Sequence, residues 1–230
     1  EEIAQLESTD TGKPISLSRS VDAKRSVANF RFFSELIKNL KTEEFEMAEP
    51  FFKNNSVAID VGAHVGFWTH RLAPELDRVI AIEPVEDYIR CLEKNTATWE
   101  HKIEIHGLGL GSKNERVLDV DRVKTNSTLT TTADYQCEEQ STEYTLDKFV
   151  EEMLDDPVEG AESIDFIKIV VEGWELEILE GAQKTIKKYK PTIFVEDKNM
   201  ESEDIKEFRD MMNYTLQEDD LNSYIWTHDG

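Results

Sequence analysis

Apolar and polar positions change rhythm twice along this chain. Residues 1–20 are polar and contain Gly12-Lys13-Pro14, which predicts an arm or loop. Val27, Phe30, Phe33, Leu36, Ile37 and Leu40 then recur at helical spacing, which predicts a helix over Val21–Lys41. From residue 56 short apolar runs take over. Val57–Val61 stops at Gly62, Arg78–Ile82 stops at Glu83-Pro84, and Ile103–His106 follows. Such short apolar runs suit strands of a parallel sheet that is buried on both faces. Between them, Phe67–Leu72 and Glu86–Thr98 read as helices, the second with Tyr88, Ile89 and Leu92 on its apolar face.

The second half continues in the same style. Residues 112–143, rich in Thr and Ser, predict short strands or loops. Helices are predicted over Leu146–Leu154, Glu175–Lys188 and Ser202–Met212, the last with Ser202 as its N-cap. Strands are predicted over Ile164–Val171 and Pro191–Val195, and Tyr214–Leu216 with Ser223–Trp226 suit a closing antiparallel pair. Alternating strand and helix is the pattern of an α/β sheet built from right-handed crossovers. The expected organisation is an N-terminal arm and helix over 1–50 and an α/β domain over 51–230.

Charge narrows the class. The chain has 230 residues with 49 Asp and Glu against 26 Lys and Arg, a net charge of -23. That argues against unaided binding to nucleic acid or anionic lipid, since phosphate contacts need clustered Lys and Arg. No apolar run approaches a membrane span, and no signal peptide is visible. Cys91 and Cys137 make neither a disulfide framework nor a zinc site, and no metal constellation is evident. The expectation is a soluble, cytoplasmic protein of unspecified oligomeric state.

The chemistry concentrates in Asp60-Val-Gly62-Ala-His-Val-Gly66, placed after a strand and before a helix. Neither G-x-G-x-x-G nor G-x-x-x-x-G-K-[ST] fits this spacing, so it predicts no pyrophosphate cradle. An acid at the strand tip suits a cation such as an amino acid's ammonium group. Glu83 ends the second strand, where acids of doubly wound sheets accept hydrogen bonds from a ribose diol. A ligand with ribose and ammonium but no pyrophosphate matches S-adenosylmethionine. An NAD-dependent oxidoreductase is the rival that the glycine spacing disfavours.

The ordered set Val57-Ala-Ile-Asp-Val-Gly-Ala-His-Val-Gly-Phe67, Ala81-Ile-Glu-Pro84, Gly107-Leu-Gly-Leu-Gly111, Asn126-Ser-Thr-Leu129, Thr145-Leu-Asp147, Ile164–Glu175, Gly181-Ala182 and Pro191–Glu196 resembles the FkbM family of class I methyltransferases. The resemblance implies a Rossmann-like, seven-stranded, mostly parallel sheet with helices on both faces. It also implies methyl transfer from S-adenosylmethionine to a sugar or glycan hydroxyl. By that resemblance Asp60, Gly62, Ala63, His64 and Gly66 line the methionine end of the cofactor. Glu83 holds the ribose, Leu108 and Gly109 border the adenine, and Pro84 also belongs to the cofactor site. Two positions depart from the family pattern. His64 stands where Asn is usual, and Val170 stands where Lys-Ile-Asp-Val-Glu-Gly places Asp.

Methyl transfer to a hydroxyl benefits from alignment and from a general base. The candidates are Glu172, Glu196 and His64. Lys168, inside an apolar strand, must find a carboxylate or lose its charge, and is expected to position one on the site side. Asn126, Ser127 and Trp174 are acceptor-side candidates. A methyltransferase of a non-sugar small molecule or protein, and a cofactor-binding module without turnover, are the alternatives. Residues 138–163 hold 10 acids and 1 base, and 196–220 hold 10 and 3, so the acidity flanks the expected acceptor side. That favours a neutral or cationic acceptor.

Overall fold

The computed structural model describes residues 43–52, 56–121, 128–130, 140–152, 163–171, 173–196, 203–220 and 223–229. The helix expected over Val21–Lys41 lies outside them. The compact unit that holds the sheet runs from residue 42 to 230. It opens with α1 (Glu43–Ala48) and a single 3-10 turn, Glu49–Phe51. Phe45 and Ala48 of α1 are buried in the core of that unit.

Strands β1 (Val57–Val61), β2 (Arg78–Ile82) and β3 (Ile103–His106) alternate with α2 (Phe67–Glu75) and α3 (Glu86–Thr96). Four short strands follow: β4 (Gly109–Leu110), β5 (Arg116–Asp121), β6 (Thr128–Thr130) and β7 (Gln140–Tyr144). After α4 (Leu146–Glu152) come β8 (Ile164–Ile169), α5 (Glu175–Glu180), α6 (Gln183–Tyr189) and β9 (Thr192–Glu196). The chain closes with α7 (Glu203–Met211), β10 (Tyr214–Asp220) and β11 (Ser223–His228).

The main sheet has seven strands in the order β10-β11-β9-β8-β1-β2-β3. The inner strands are parallel, and β11 runs against both its neighbours, β9 and β10. The four short strands form a second sheet, β4-β7-β5-β6, inserted in sequence between β3 and β8. Strands β5 to β7 fall almost wholly in the Ser- and Thr-rich stretch 112–143, whose pattern predicted short strands or loops.

Strand alternation assigns the two faces. Val57, Ile59 and Val61 share a core with Phe149 of α4, Ile178 of α5, Ile186 of α6 and Phe208 of α7. Ala58, Phe166 and Phe194 share the opposite core with Phe45, Trp68 and Leu72 of α1 and α2. Helices therefore cover both faces of the sheet.

The sequence reads as one helix over Glu175–Lys188, yet the structure breaks it at Gly181-Ala182. A Cβ on Gly181 would lie 2.0 Å from the Gly111 carbonyl oxygen, so the chains cross there at backbone contact. Asp147 of α4 re-caps the chain beyond the break. Its carboxylate accepts the Lys184 N–H at 2.9 Å and the Thr185 N–H at 2.7 Å. Tertiary packing thus overrides an unbroken helical period. Asp147→Ala removes that cap and is expected to cost about 1 kcal/mol, read as a lower urea midpoint at unchanged slope.

Candidate active site

Strand order reverses between β1 and β8, where loops leave the carboxyl ends of both strands in opposite directions. Ligands of open α/β sheets bind in the crevice at such a point. A cavity of ≈ 250 Å³ lies there, walled by the loops after β1, β2, β3 and β8.

The loop after β1 is shaped by glycine. Gly62 (φ +74°) and Gly66 (φ +90°) both occupy the left-handed region. A Cβ on Gly66 would meet Leu92 Cδ1 at 2.6 Å, so this glycine lets α2 start against α3. Asn95 of α3 donates its side-chain amide to the Val65 carbonyl at 2.8 Å and ties the loop down. Between the glycines, His64 is itself left-handed (φ +51°). That conformation aims its N–H at Glu83 Oε2, 2.8 Å away.

Glu83 is 4% exposed and fixed from two sides. Oε1 accepts the Val85 N–H at 2.9 Å while Oε2 takes that of His64. Each carboxylate oxygen keeps a further lone-pair site, and the residue lines the cavity. Two parallel acceptors on one rigid group suit a vicinal diol. Burial raises the Glu83 pKa, against the backbone hydrogen bonds and the Lys168 charge, which lower it.

Beneath the loop sits a buried ion pair. Asp60 and Lys168 are direct partners across β1 and β8. The Lys168 ammonium lies 3.0 Å from Asp60 Oδ1 and donates to the carbonyls of Gly62 at 2.8 Å and Val61 at 3.2 Å. Asp60 Oδ1 pairs with the ammonium by charge rather than by an aligned hydrogen bond. The Thr69 hydroxyl donates to Asp60 Oδ2 at 2.6 Å. Asp60 is therefore held beneath the cavity wall by Lys168 and Thr69, and Lys168 itself reaches the lining.

The structure brings Gly62, Ala63, His64, Glu83, Pro84, Leu108, Gly109 and Lys168 to one cavity. Gly66 stands behind it, against α3. Glu196 ends β9 opposite Ser223 of β11 and does not line the cavity. Trp174 lies beside Gly111, with the Arg116 guanidinium 5.6 Å from its ring centre. Arg116 also pairs with the fully buried Glu143 of β7. Glu172, Asn126 and Ser127 lie outside the described residues. Val170 contributes an apolar wall where the family pattern has a carboxylate.

Two contributors escape a reading of the sequence. Tyr88 looks like one more apolar position of α3, but it lines the cavity with its ring 4.1 Å from that of His64. Glu175 looks like an ordinary acid in a helix's first turn. Its buried carboxylate accepts the N–H groups of Val171 at 3.1 Å and Gly173 at 2.9 Å, shaping the loop after β8. The i, i+4 spacing of Val171 and Glu175 was its only trace in the sequence.

The glycine loop, the acid at the tip of β2 and a sheet closed by one reversed strand define a methyltransferase domain of the Rossmann-like class. The chain belongs to the FkbM methyltransferases: the model of the Methyltransferase FkbM domain matches residues 60–221.

Solved structures agree on the fold. The FkbM methyltransferase of Methylobacillus flagellatus KT superposes with a TM-score of 0.56 at 18% identity, over 85% of this chain and 50% of that one. A protein of the NADB-Rossmann superfamily from Streptococcus agalactiae gives 0.51 at 15% identity, over 82% and 69%. Among curated proteins, 2-hydroxymuconic semialdehyde dehydrogenase of Pseudomonas sp. (strain CF600) is 50% identical over 50 residues, 22% of this chain and 10% of that protein. The chain thus spans about a tenth of the curated relatives it matches, and so short a stretch shows neither their fold nor their activity here. Among the described residues no helix is long and apolar enough to cross a membrane.

Proposed function

We propose that this domain transfers a methyl group from S-adenosylmethionine to a hydroxyl of a sugar or glycan. The observation that carries the cofactor is the Glu83 carboxylate, clamped by two backbone N–H groups with acceptor capacity left toward the cavity. Glu83 would hold the ribose hydroxyls, Pro84, Leu108 and Gly109 the adenine side, and Gly62 and Ala63 the methionine side. When bound, the cofactor supplies a methyl group made electrophilic by its sulfonium. The chain's part is alignment and the exclusion of water by the apolar wall of Val170, Val171 and Phe67. The acceptor's proton passes to Glu172 or His64.

The acceptor class rests on the family and on charge. A net charge of -23, concentrated beside the site's flanking segments, favours a neutral sugar over a nucleic acid. Val170 supports a second reading, a module that binds the cofactor without turnover, because valine can accept no proton.

The test is heat stabilisation by S-adenosylmethionine followed by labelled-methyl transfer to a glycan panel. Stabilisation with transfer supports the proposal, stabilisation without transfer to any acceptor supports the second reading, and no stabilisation defeats both. Glu83→Gln replaces an acceptor oxygen by an amide that faces a backbone N–H. It is expected to weaken cofactor binding by tenfold or more, about 1.4 kcal/mol, measured calorimetrically.

A further inference from the structure

His64 is placed to sense the charge of whatever fills the cavity. Its left-handed backbone and its N–H bond to Glu83 fix the residue at the cavity wall. Its ring stands edge-on to Tyr88 at 4.1 Å, which limits where the imidazole can turn. Among the described residues, the charged and titratable groups facing it come from four elements. Glu83 comes from the tip of β2, Tyr88 from α3, and Lys168 from β8, with Asp60 of β1 balancing Lys168 at 3.0 Å. His64 is exposed, yet desolvation by the cavity wall and, to a lesser degree, the Lys168 ammonium hold the imidazole below its ordinary pKa of 6.5, so it is neutral at neutral pH.

We propose that His64 makes the cavity discriminate by ligand charge: the neutral ring admits a sulfonium, and the protonated ring disfavours S-adenosylmethionine relative to its neutral thioether product, S-adenosylhomocysteine. This rests on the cofactor reading above. The two ligands share ribose, adenine and amino-acid end, so contacts to those parts cancel in the comparison. Only the sulfonium charge remains. Protonation of His64 would set a second cation beside Lys168 on one small cavity, where like charges several ångströms apart repel, by an amount that water at the exposed ring reduces. Loss of the Glu83 charge in acid would act on the sulfonium in the same direction, and His64→Asn retains Glu83, so the His64 share is the part of the change that this variant lacks.

The experiment is calorimetric titration of the full chain with each ligand from about pH 8 to about pH 5.5, spanning the His range. The ratio of the Kd for S-adenosylmethionine to that for S-adenosylhomocysteine is expected to rise about five- to tenfold on acidification. In His64→Asn, which keeps a residue tolerant of the left-handed region, the rise is expected to be at most half that of the wild type. As a second reading of the same coupling, the His64 ring titration followed by NMR should move lower with the sulfonium than with the thioether, by reciprocity. A wild-type ratio that does not change, or an NMR titration identical with both ligands, overturns the inference while leaving the cofactor reading intact. A change of undiminished size in His64→Asn overturns it equally. Failure of both ligands to bind at about pH 8 overturns the cofactor reading, and the inference with it.

Discussion

Gly62→Ala is expected to be strongly destabilised, by about 2–5 kcal/mol. The φ of +74° already costs any L side chain about 1–2 kcal/mol. The larger difficulty is space. The added methyl would stand 2.1 Å from the Val170 carbonyl oxygen and 2.9 Å from Val171 Cγ1. A backbone carbonyl cannot step aside as a flexible side chain can, so β1 and β8 must part at the point where their ends form the cavity floor. Overpacking of this kind adds about 1–3 kcal/mol. The combined loss of roughly 2–5 kcal/mol is a large share of a typical domain's stability. Urea unfolding followed by tryptophan fluorescence checks it. A midpoint within error of wild type would show that the loop has more room than its contacts indicate.

Lys168→Met is the second large effect. It removes one member of an ion pair whose side chains are 4% and 0% exposed, leaving the buried Asp60 side chain, among the described residues, with the Thr69 hydroxyl alone. Breaking such a pair from one side costs about 3–5 kcal/mol, because the remaining charge is uncompensated. The same replacement frees the Gly62 carbonyl, so cofactor affinity should fall along with stability. The double variant Lys168→Met with Asp60→Asn should regain much of the stability, since neither charge then remains. It should not regain the affinity, because the Gly62 carbonyl stays unheld. Unchanged stability and turnover in Lys168→Met would sink the positioning role.

Strands at the sheet's centre were legible because both of their faces are buried, so an apolar run that stops at Gly62 or at Glu83-Pro84 suits little besides a covered parallel strand. The loop residues followed, since strand tips near a reversal of strand order are where ligands sit. Lys168 was legible as a problem, a charge in an apolar strand. That its partner would be Asp60 depended on register between strands far apart in sequence, which no local pattern carries. That register also altered the meaning of Asp60, from a group offered to a cation to one already matched. The helix break at Gly181 and the role of Glu143 in the inserted sheet depend on contacts with Gly111 and Arg116, and a side chain read alone gives no sign of them. Tyr88 illustrates the same limit: helical spacing identifies a buried direction without saying whether protein or cavity lies there.

The seam between β1 and β8 has a bearing on how the molecule assembles. The hydrogen bond from Lys168 to the Val61 carbonyl joins residues 107 positions apart. Closing so long a stretch of chain carries an entropy cost that must be met before the contact returns anything, and contacts of this separation slow folding. The first three strands and their helices can pair locally, yet they leave Asp60 charged at the floor of an unfinished crevice. Only arrival of β8 neutralises it and fixes the Gly62 carbonyl. A nascent chain that ends before residue 163 should therefore hold the whole glycine motif and still fail to retain ligand, so that competence to bind appears late in synthesis and all at once.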